Sequence, residues 1–249
     1  MRIALLIDCD NVSSSAVEGV LAELAKHGTV NVRHAHGDWK STYLNGWVEK
    51  LHANAIRSLQ QFAYTSGKNA TDAAMIIDAM DLLYSKNVDG FALMTSDSDF
   101  TPLVMRILES GLPVFGFGER KTPSAFVHAC SQFIYIENLV PAPEVDQSLP
   151  AAPAGDSSLI EDHALMQLLR NAVDQVSEID GWSHLSKVGK YISNTSSFSP
   201  INYGYKKLGE VLRASGTFDI EMRSDNTAMY VKPRAPRAAL KAAKPVQRR

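Results

Sequence analysis

Acidic residues occur in this chain in three groups, each next to a segment whose pattern marks a strand end or a helix start. The groups are Asp8 and Asp10 after the apolar run 3–7, Asp72 at the start of a helical pattern, and Asp97 with Asp99 after the apolar run 90–94. In open α/β sheets, functional groups gather beyond the carboxyl ends of the strands. We therefore expect these carboxylates to meet at one edge of a sheet.

Carboxylates that pack together raise one another's pKa unless a cation lies between them. Mg²⁺ and Mn²⁺ prefer such oxygen ligands, and the ion can orient a water and stabilise charge on a phosphodiester. Some of these acids also have a purely local explanation: Asp72 as a helix-dipole partner, Asp10 in a turn with Asn11, and Asp99 as a helix cap. Asp78, ~120° around the helix from Asp72, is expected to lie outside the ligand set. The three groups together favour a metal-dependent phosphodiester hydrolase.

Strand-like and helix-like periodicities alternate over residues 1–140. Apolar runs predict strands at 3–7, 30–36, 56–62, 90–94, 114–117 and 133–136. Helical spacing predicts helices at 17–24, 44–51, 71–83 and 101–109, with Ser13–Ser15 and Thr71 as candidate N-caps. This alternation is typical of an α/β domain in which helices sandwich a parallel sheet.

A second folding unit is predicted over residues 158–231. It has helical patterns at 159–176, 182–192 and 203–212, and strand-like segments at 218–222 and 228–231 joined by the turn Ser224-Asp225-Asn226. Three helices and a hairpin predict a small winged-helix domain. Between the units, the Pro- and Ala-rich segment 141–157 predicts a linker. We expect few contacts between the two domains, which should then move semi-independently.

Charge is unevenly distributed, although the net charge is only −2. Acids outnumber Lys and Arg by 15 to 11 over residues 1–140, whereas residues 232–249 contain seven basic residues and no acid. Such a tail is expected to be disordered and to attract a polyanion. The two cysteines are far apart and the first apolar run is short, which argues against a disulfide framework, a zinc site and a membrane segment. We expect a cytoplasmic protein with no membrane partner.

Three segments of the first unit carry distinctive motifs: Ile-Asp-Cys-Asp-Asn (7–11), Lys-Asn-Ala-Thr-Asp-Ala-Ala-Met-Ile-Ile-Asp-Ala-Met (68–80) and Thr-Ser-Asp-Ser-Asp-Phe-Thr-Pro-Leu-Val (95–104). In this order they resemble the signatures of NYN domains, which belong to the PIN-like ribonuclease superfamily. The resemblance covers residues 1–139 and implies an endoribonuclease that requires Mg²⁺ or Mn²⁺. The catalytic metal ligands that it implies are Asp8, Asp72 and Asp97, with Asp99 as a fourth. It also implies that Asn11 and Ser96 orient a ligand or phosphate.

The second unit contains Asp-Gly-Trp (180–182), Leu-Ser-Lys-Val-Gly (185–189), Phe198 and Tyr-Gly-Tyr-Lys-Lys-Leu (203–208). These segments resemble a LOTUS, or OST-HTH, domain, which implies binding of RNA, single-stranded or structured, or docking of a protein partner. The candidate RNA-binding residues are Lys187, Lys190, Lys206 and Lys207, which can contact phosphates, and Tyr203 and Tyr205, which can stack on bases. Core packing of a tyrosine and a solvated lysine surface would explain the same residues. The sequence does not decide whether the protein forms a homodimer.

Two other functions compete with the nuclease. Asp8-Cys9-Asp10-Asn11-Val12 also matches the opening motif of haloacid-dehalogenase-type phosphatases, with Asp8 as nucleophile, Asp10 as acid/base and 96–99 as the distal magnesium motif. That reaction needs a nearby lysine, whereas Lys86 lies behind a predicted helix, and it leaves Asp72 unexplained. A non-catalytic adaptor that binds RNA or protein is the other alternative, and the intact acidic groups argue against lost chemistry.

Overall fold

The first domain is built on a parallel sheet of six strands in the order β3-β2-β1-β4-β5-β6. The computed structural model describes residues 1–61, 70–140, 159, 162–223 and 228–234. The strands are β1 (Arg2–Asp8), β2 (Thr29–Gly37), β3 (Arg57–Gln60), β4 (Gly90–Met94), β5 (Val114–Gly118) and β6 (Gln132–Tyr135). Residues 3–7 of β1 are fully buried, as a central strand covered on both faces requires.

Helices cover both faces of this sheet, so the predicted α/β sandwich is confirmed. They are α1 (Val17–Leu24), α2 (Asn45–Ala53), α3 (Ala70–Ser85), α4 (Thr101–Glu109) and α5 (Ser124–Ala129). Helices α1 and α2 pack on the face that contains Ile7, whereas α3, α4 and α5 pack on the face that contains Leu6. Helix α5, too short for a clear periodicity, was not predicted. Among the described residues, no helix is both long and apolar enough to span a bilayer.

Two local predictions for this domain need correction. Helix α3 begins at Ala70, so Thr71 lies inside its first turn instead of capping it. The strand β3 ends at Gln60, and the predicted end of that strand, Phe62, lies outside the described residues.

The second domain contains α6 (His163–Gln175), α7 (Leu185–Thr195) and α8 (Leu208–Ala214), with an antiparallel sheet β7-β9-β8. The strands are β7 (Ser183–His184), β8 (Phe218–Arg223) and β9 (Ala228–Pro233). The winged-helix outline is therefore confirmed. The third helix begins later than predicted because Pro200–Tyr203 forms a 3-10 turn that ends at Gly204, whose φ is +81°, a left-handed conformation that favours glycine.

The end of the second domain extends slightly into the predicted tail. Strand β9 runs to Pro233 because Lys232 pairs with Asp219 of β8. Arg234 then forms an ion pair of 2.8 Å with Asp219. The predicted linker 141–157, the turn Ser224–Asn226 and residues 235–249 of the tail lie outside the described residues.

The edge strand β6 is joined to the second domain by hydrogen bonds, so the expectation of few contacts between the domains is wrong. The Phe133 N–H donates to the Ser197 carbonyl at 3.0 Å. The side-chain amide of Asn202 donates to the Phe133 carbonyl at 2.8 Å and accepts from the Tyr135 N–H at 3.0 Å. A strand edge presents unpaired N–H and C=O groups, and the Asn202 amide satisfies one of each.

Candidate functional site

Asp8 is a fully buried carboxylate at the carboxyl end of β1. Its Oδ2 accepts hydrogen bonds from Asn11 Nδ2 at 2.7 Å and from Thr95 Oγ1 at 2.8 Å. Its Oδ1 is also buried, yet it has no hydrogen-bond partner among the described residues. Leaving a buried polar atom without a partner costs ~1–3 kcal/mol, so this oxygen is placed to accept a ligand.

Burial raises the pKa of Asp8 above its ordinary value. The hydrogen bonds from Asn11 and Thr95 lower that pKa, whereas the neighbouring carboxylates Asp10 and Asp97 raise it further. Burial and the two neighbouring carboxylates therefore disfavour the charged form of Asp8, and a cation bound beside it would offset this effect.

Asp72 and Asp10 lie beside Asp8, on the first turn of α3 and on the loop after β1. Burial, together with the acidic side chains around it, raises the pKa of Asp72 to about 6. Thr71 Oγ1 donates to Asp10 Oδ2 at 2.8 Å, which ties the start of α3 to the β1 loop. Thr71 thus positions an acid of the cluster from within the helix.

Asp97 and Asp99 complete the cluster from the loop after β4. Asp97 Oδ1 accepts the Asp99 N–H at 2.9 Å and caps the 3-10 turn Ser98–Phe100. The Asp97 N–H donates to Thr95 Oγ1 at 3.1 Å, and the same hydroxyl donates to Asp8. Thr95 therefore joins two acidic groups that are far apart in sequence, and the structure brings the three predicted groups to one edge of the sheet.

The donor set suits a hard divalent cation, because every candidate ligand is a carboxylate oxygen. No three His, Cys, Asp or Glu side chains in the described ranges lie close enough together to hold one ion. Mg²⁺ usually keeps several waters and binds through one or two carboxylates. The site therefore fits an ion held by few direct protein ligands, with Asp8 Oδ1 as the oxygen that lacks a partner.

A cleft of about 480 Å³ opens next to Asp10 and Asn11. Tyr43 forms part of one wall and is 94% exposed. Another part of the lining contains Lys121, which is 72% exposed and forms an ion pair of 2.7 Å with Glu119. Neither Tyr43 nor Lys121 was predicted from sequence, since a lone tyrosine or lysine outside any motif carries no signal.

Asn11 and Ser96 have structural partners that their motif positions did not reveal. Asn11 uses its amide to hold Asp8, so it orients a candidate ligand. Ser96 Oγ accepts the Glu119 N–H at 2.9 Å and thereby joins the loops that follow β4 and β5. Both contacts shape the edge of the sheet on which the acids lie.

Asp78 does not lie free on the surface of α3 but contacts two histidines of β2. His34 Nδ1 lies 2.8 Å and His36 Nε2 3.1 Å from its Oδ2. Burial raises the pKa of Asp78, but the contacts with His34 and His36 outweigh it and leave that pKa well below the usual range. The prediction placed Asp78 outside the ligand set, and this cluster gives it a role in joining α3 to the sheet.

The candidate RNA-binding residues of the second domain fall into two kinds. Tyr203 and Tyr205 pack against the hydrophobic core of that domain, and burial raises the pKa of Tyr203 to about 12. Lys187 pairs with Glu178 at 2.8 Å. The four candidate lysines, Lys187, Lys190, Lys206 and Lys207, are exposed. None of these candidates lines the cleft beside Asp10.

The geometry argues against the phosphatase alternative. Arg2 at the start of β1 contacts the backbone oxygen of Lys86, whereas Asp8 ends the same strand. Six residue steps of ~3.3 Å separate Arg2 from Asp8, which places Lys86 ~20 Å from the carboxylate that it would have to assist. Asp8 is also enclosed by its hydrogen bonds, which does not suit an exposed nucleophile.

Comparison with known proteins agrees with the two-domain architecture. A family model described as the NYN domain matches residues 2–137, and one described as the OST-HTH/LOTUS domain matches residues 160–230. An uncharacterised protein of Methanocaldococcus jannaschii is 27% identical over 121 residues. The match covers 47% of each protein, so the chain spans about half the length of this curated relative.

Among solved structures, a protein of unknown function from Vibrio parahaemolyticus is similar, with a TM-score of 0.46 and 20% identity over 54% of this chain and 92% of that one. An uncharacterised protein from Nitrosomonas europaea has a TM-score of 0.30 and 25% identity over 39% of this chain and 95% of its own. The NYN domain is a nuclease domain and the OST-HTH/LOTUS domain binds RNA. The motifs, the sheet and the family match together establish that this chain belongs to the NYN domain family and carries a C-terminal OST-HTH/LOTUS domain.

Proposed function

We propose that this protein is an Mg²⁺- or Mn²⁺-dependent endoribonuclease that acts in RNA processing or turnover. The observation that carries the proposal is the buried Asp8 carboxylate, whose Oδ1 has no hydrogen-bond partner among the described residues, within a cluster of acids at the carboxyl edge of the sheet. Such a cluster is costly without a cation. The NYN family match supports a nuclease.

In this proposal the ion binds among Asp8, Asp72 and Asp97, directly to one or two of these carboxylates and through its waters to the rest, with Asp99 as a fourth acid beside them. The bound ion supplies a polarised water and stabilises charge on the phosphodiester. Asn11 and Thr95 keep Asp8 in place through their hydrogen bonds. Ser96 positions the neighbouring loop from which Lys121 contacts a phosphate.

The exposure of Tyr43 favours an unpaired RNA strand as the substrate that binds in this cleft. Its ring is almost wholly exposed at the cleft wall, and exposed aromatic side chains stack on bases that are free of a duplex. A base on Tyr43 would place its sugar-phosphate backbone in the cleft that Asp10 also lines. The proposal therefore names single-stranded RNA as the preferred substrate.

The second domain and the tail would capture RNA for this cleft. The acidic edge repels phosphates until an ion binds, whereas Lys187, Lys190, Lys206 and Lys207 can replace counterions around an RNA backbone. Attachment of the two domains then raises the effective concentration of RNA at the acids. If this domain bound a protein partner in place of RNA, its removal would leave RNA affinity unchanged.

The test is cleavage of labelled RNA and DNA oligonucleotides by the full chain in Mn²⁺, in Mg²⁺ and in EDTA. We expect RNA to be cut internally only with metal, and Asp97→Asn to lower the rate at limiting Mn²⁺ by about 10–100-fold or more. Asp81→Asn is the matched control, because Asp81 is an exposed acid of α3 and should leave the rate unchanged. Wild-type rates in Asp97→Asn would refute the assignment. RNA binding without any cleavage would instead favour the non-catalytic adaptor.

A further inference from the structure

A crevice of about 510 Å³ lies between the two domains. One wall comes from the NYN domain and contains Arg120 and Tyr135, and the other comes from the LOTUS domain and contains Phe198 and Tyr203. Ligand cavities usually measure ~300–1,000 Å³, so this space is large enough for a small molecule or one unit of a polymer. The hydrogen bonds between β6 and Asn202 hold the two walls together.

The walls of the crevice present aromatic rings and a guanidinium group. The Phe198 and Tyr203 rings stack with centroids 5.6 Å apart and an interplanar angle of 28°. Across the crevice, the Arg120 guanidinium lies 5.7 Å from the centroid of the Tyr135 ring. Aromatic rings and guanidinium planes are the surfaces on which unpaired RNA bases stack. Arg120 also has five N–H donors, so its bond to Asn138 Oδ1 at 3.1 Å leaves donors for a phosphate.

The crevice also contains an acid, Asp162, which must be weighed against a phosphate ligand. Asp162 caps α6 by accepting the Leu165 N–H at 2.9 Å, and it lies near the Tyr203 hydroxyl at 3.4 Å. A helix N-terminus partly offsets a negative charge on its cap. Arg120 is an exposed residue, so a phosphate can approach it from the solvent side.

The crevice lies next to the cleft that Asp10 and Tyr43 line, called the acidic cleft below. The loop after β5 contributes Glu119 and Lys121 to the cleft and Arg120, the residue between them, to the crevice. The two cavities therefore open on either side of one short loop. A single polymer strand can reach both, whereas a small ligand cannot.

We propose that the crevice binds an unpaired nucleotide of the same RNA strand whose neighbouring phosphodiester lies in the acidic cleft. The base of this nucleotide stacks on the aromatic rings of the crevice. Arg120 contacts the phosphate that joins it to the part of the strand crossing the loop after β5. This inference rests on the proposed function only in taking RNA as the substrate. It adds a binding site formed by both domains.

The experiment measures RNA binding by the full chain carrying Asp97→Asn, so that the probe is not cut. The probe is a fluorescein-labelled 12-nucleotide oligouridylate, free or annealed to its complement, in Mg²⁺ buffer. Arg120→Ala should weaken binding of the free strand by roughly 5- to 100-fold, the effect of losing one stacked base, and change duplex binding little. Arg120→Lys should recover only part of the affinity, because lysine keeps the charge but not the planar group.

Arg106→Ala is the matched control, because Arg106 also lies over a tyrosine, Tyr84, at 6.0 Å, but on α3 and α4 away from the crevice. If Arg120→Ala and Arg106→Ala bind the free strand with equal affinity, the crevice is not an RNA-binding site. A protein segment would then be favoured as its ligand. A 4-thiouridine probe should also crosslink to Tyr135 or Tyr203, and crosslinks confined to other surfaces would overturn it too. If the wild type cuts no RNA but Arg120→Ala still loses affinity, the nuclease proposal fails while the crevice stands. If the wild type cuts RNA and Arg120→Ala binds it with full affinity, the crevice site fails while the nuclease proposal stands.

Discussion

Asn202 should determine whether the two domains stay docked. Its amide forms hydrogen bonds of 2.8 Å and 3.0 Å with the outer edge of β6, and Asn202→Ala removes both. A hydrogen bond contributes ~0.5–1.5 kcal/mol net, so the change should destabilise docking by about 1–3 kcal/mol. At ~1.4 kcal/mol per tenfold, the population of undocked molecules should rise by roughly 5- to 140-fold.

Amide hydrogen exchange followed by NMR can measure this opening. The Phe133 N–H is the diagnostic group, because it donates to the Ser197 carbonyl and Asn202→Ala leaves that acceptor in place. If docking weakens, this amide should exchange faster by the same factor, whereas amides of the buried strand β1 should keep their rates. The Tyr135 amide is less informative, since the substitution removes its own acceptor.

Asn171→Ala is the matched control, because Asn171 is an exposed asparagine of the same domain and should leave exchange at Phe133 unchanged. An unchanged Phe133 rate in Asn202→Ala would show that the Asn202 amide does not hold the domains together. Faster exchange throughout β1 would indicate loss of the whole fold and would equally refute a local role.

Three further predictions concern the cleft, the acids and the core. Tyr43→Ala should lower the affinity for single-stranded RNA by roughly 5- to 100-fold in binding assays with no loss of thermal stability, because Tyr43 is exposed, and an equal loss in Tyr84→Ala would contradict a specific role. Because the pKa of Asp72 is raised to about 6, the metal-free fold binds a proton more tightly than the unfolded chain, and the free energy of unfolding should fall as pH rises from about 4 through about 6. Asp72→Asn should reduce that loss by about 1–2 kcal/mol in urea unfolding with EDTA. An unchanged dependence of stability on pH in this variant would exclude Asp72 as the cause. Gly116→Ala should destabilise the fold by about 1–3 kcal/mol in urea, because the new Cβ would lie 2.6 Å from Cys130 Sγ, whereas Gly189→Ala, with ordinary contact distances, should not.

Much of the first domain follows from local pattern. The apolar runs of β1 and β4 are long enough to be buried on both faces, and parallel strands place their carboxyl ends at one edge. Together with a helix that starts at the same edge with Asp72, these facts were sufficient to expect Asp8, Asp72 and Asp97 together. The motifs then led to the NYN and LOTUS families, which the family matches confirm.

Other features depend on contacts between residues that are distant in sequence. Periodicity does not show that Asp78 meets His34 and His36, because that contact joins a helix face to a strand more than 40 residues earlier in the chain. It also does not show that Tyr43 is exposed in the cleft that Asp10 lines. Both facts arise only when the chain has packed.

The contact between the two domains is the clearest example of a feature that the sequence did not predict. The sequence indicated two folding units and a Pro- and Ala-rich segment, from which we expected little contact. Yet β6 is an edge strand with unpaired backbone groups, and the 3-10 turn before Gly204 places the Asn202 amide against them. The sequence by itself determined the elements and the acids, because spacing along the chain encodes burial. Only the tertiary structure decided the docking and the crevice, because a side chain can complete a distant strand edge only after both domains have folded.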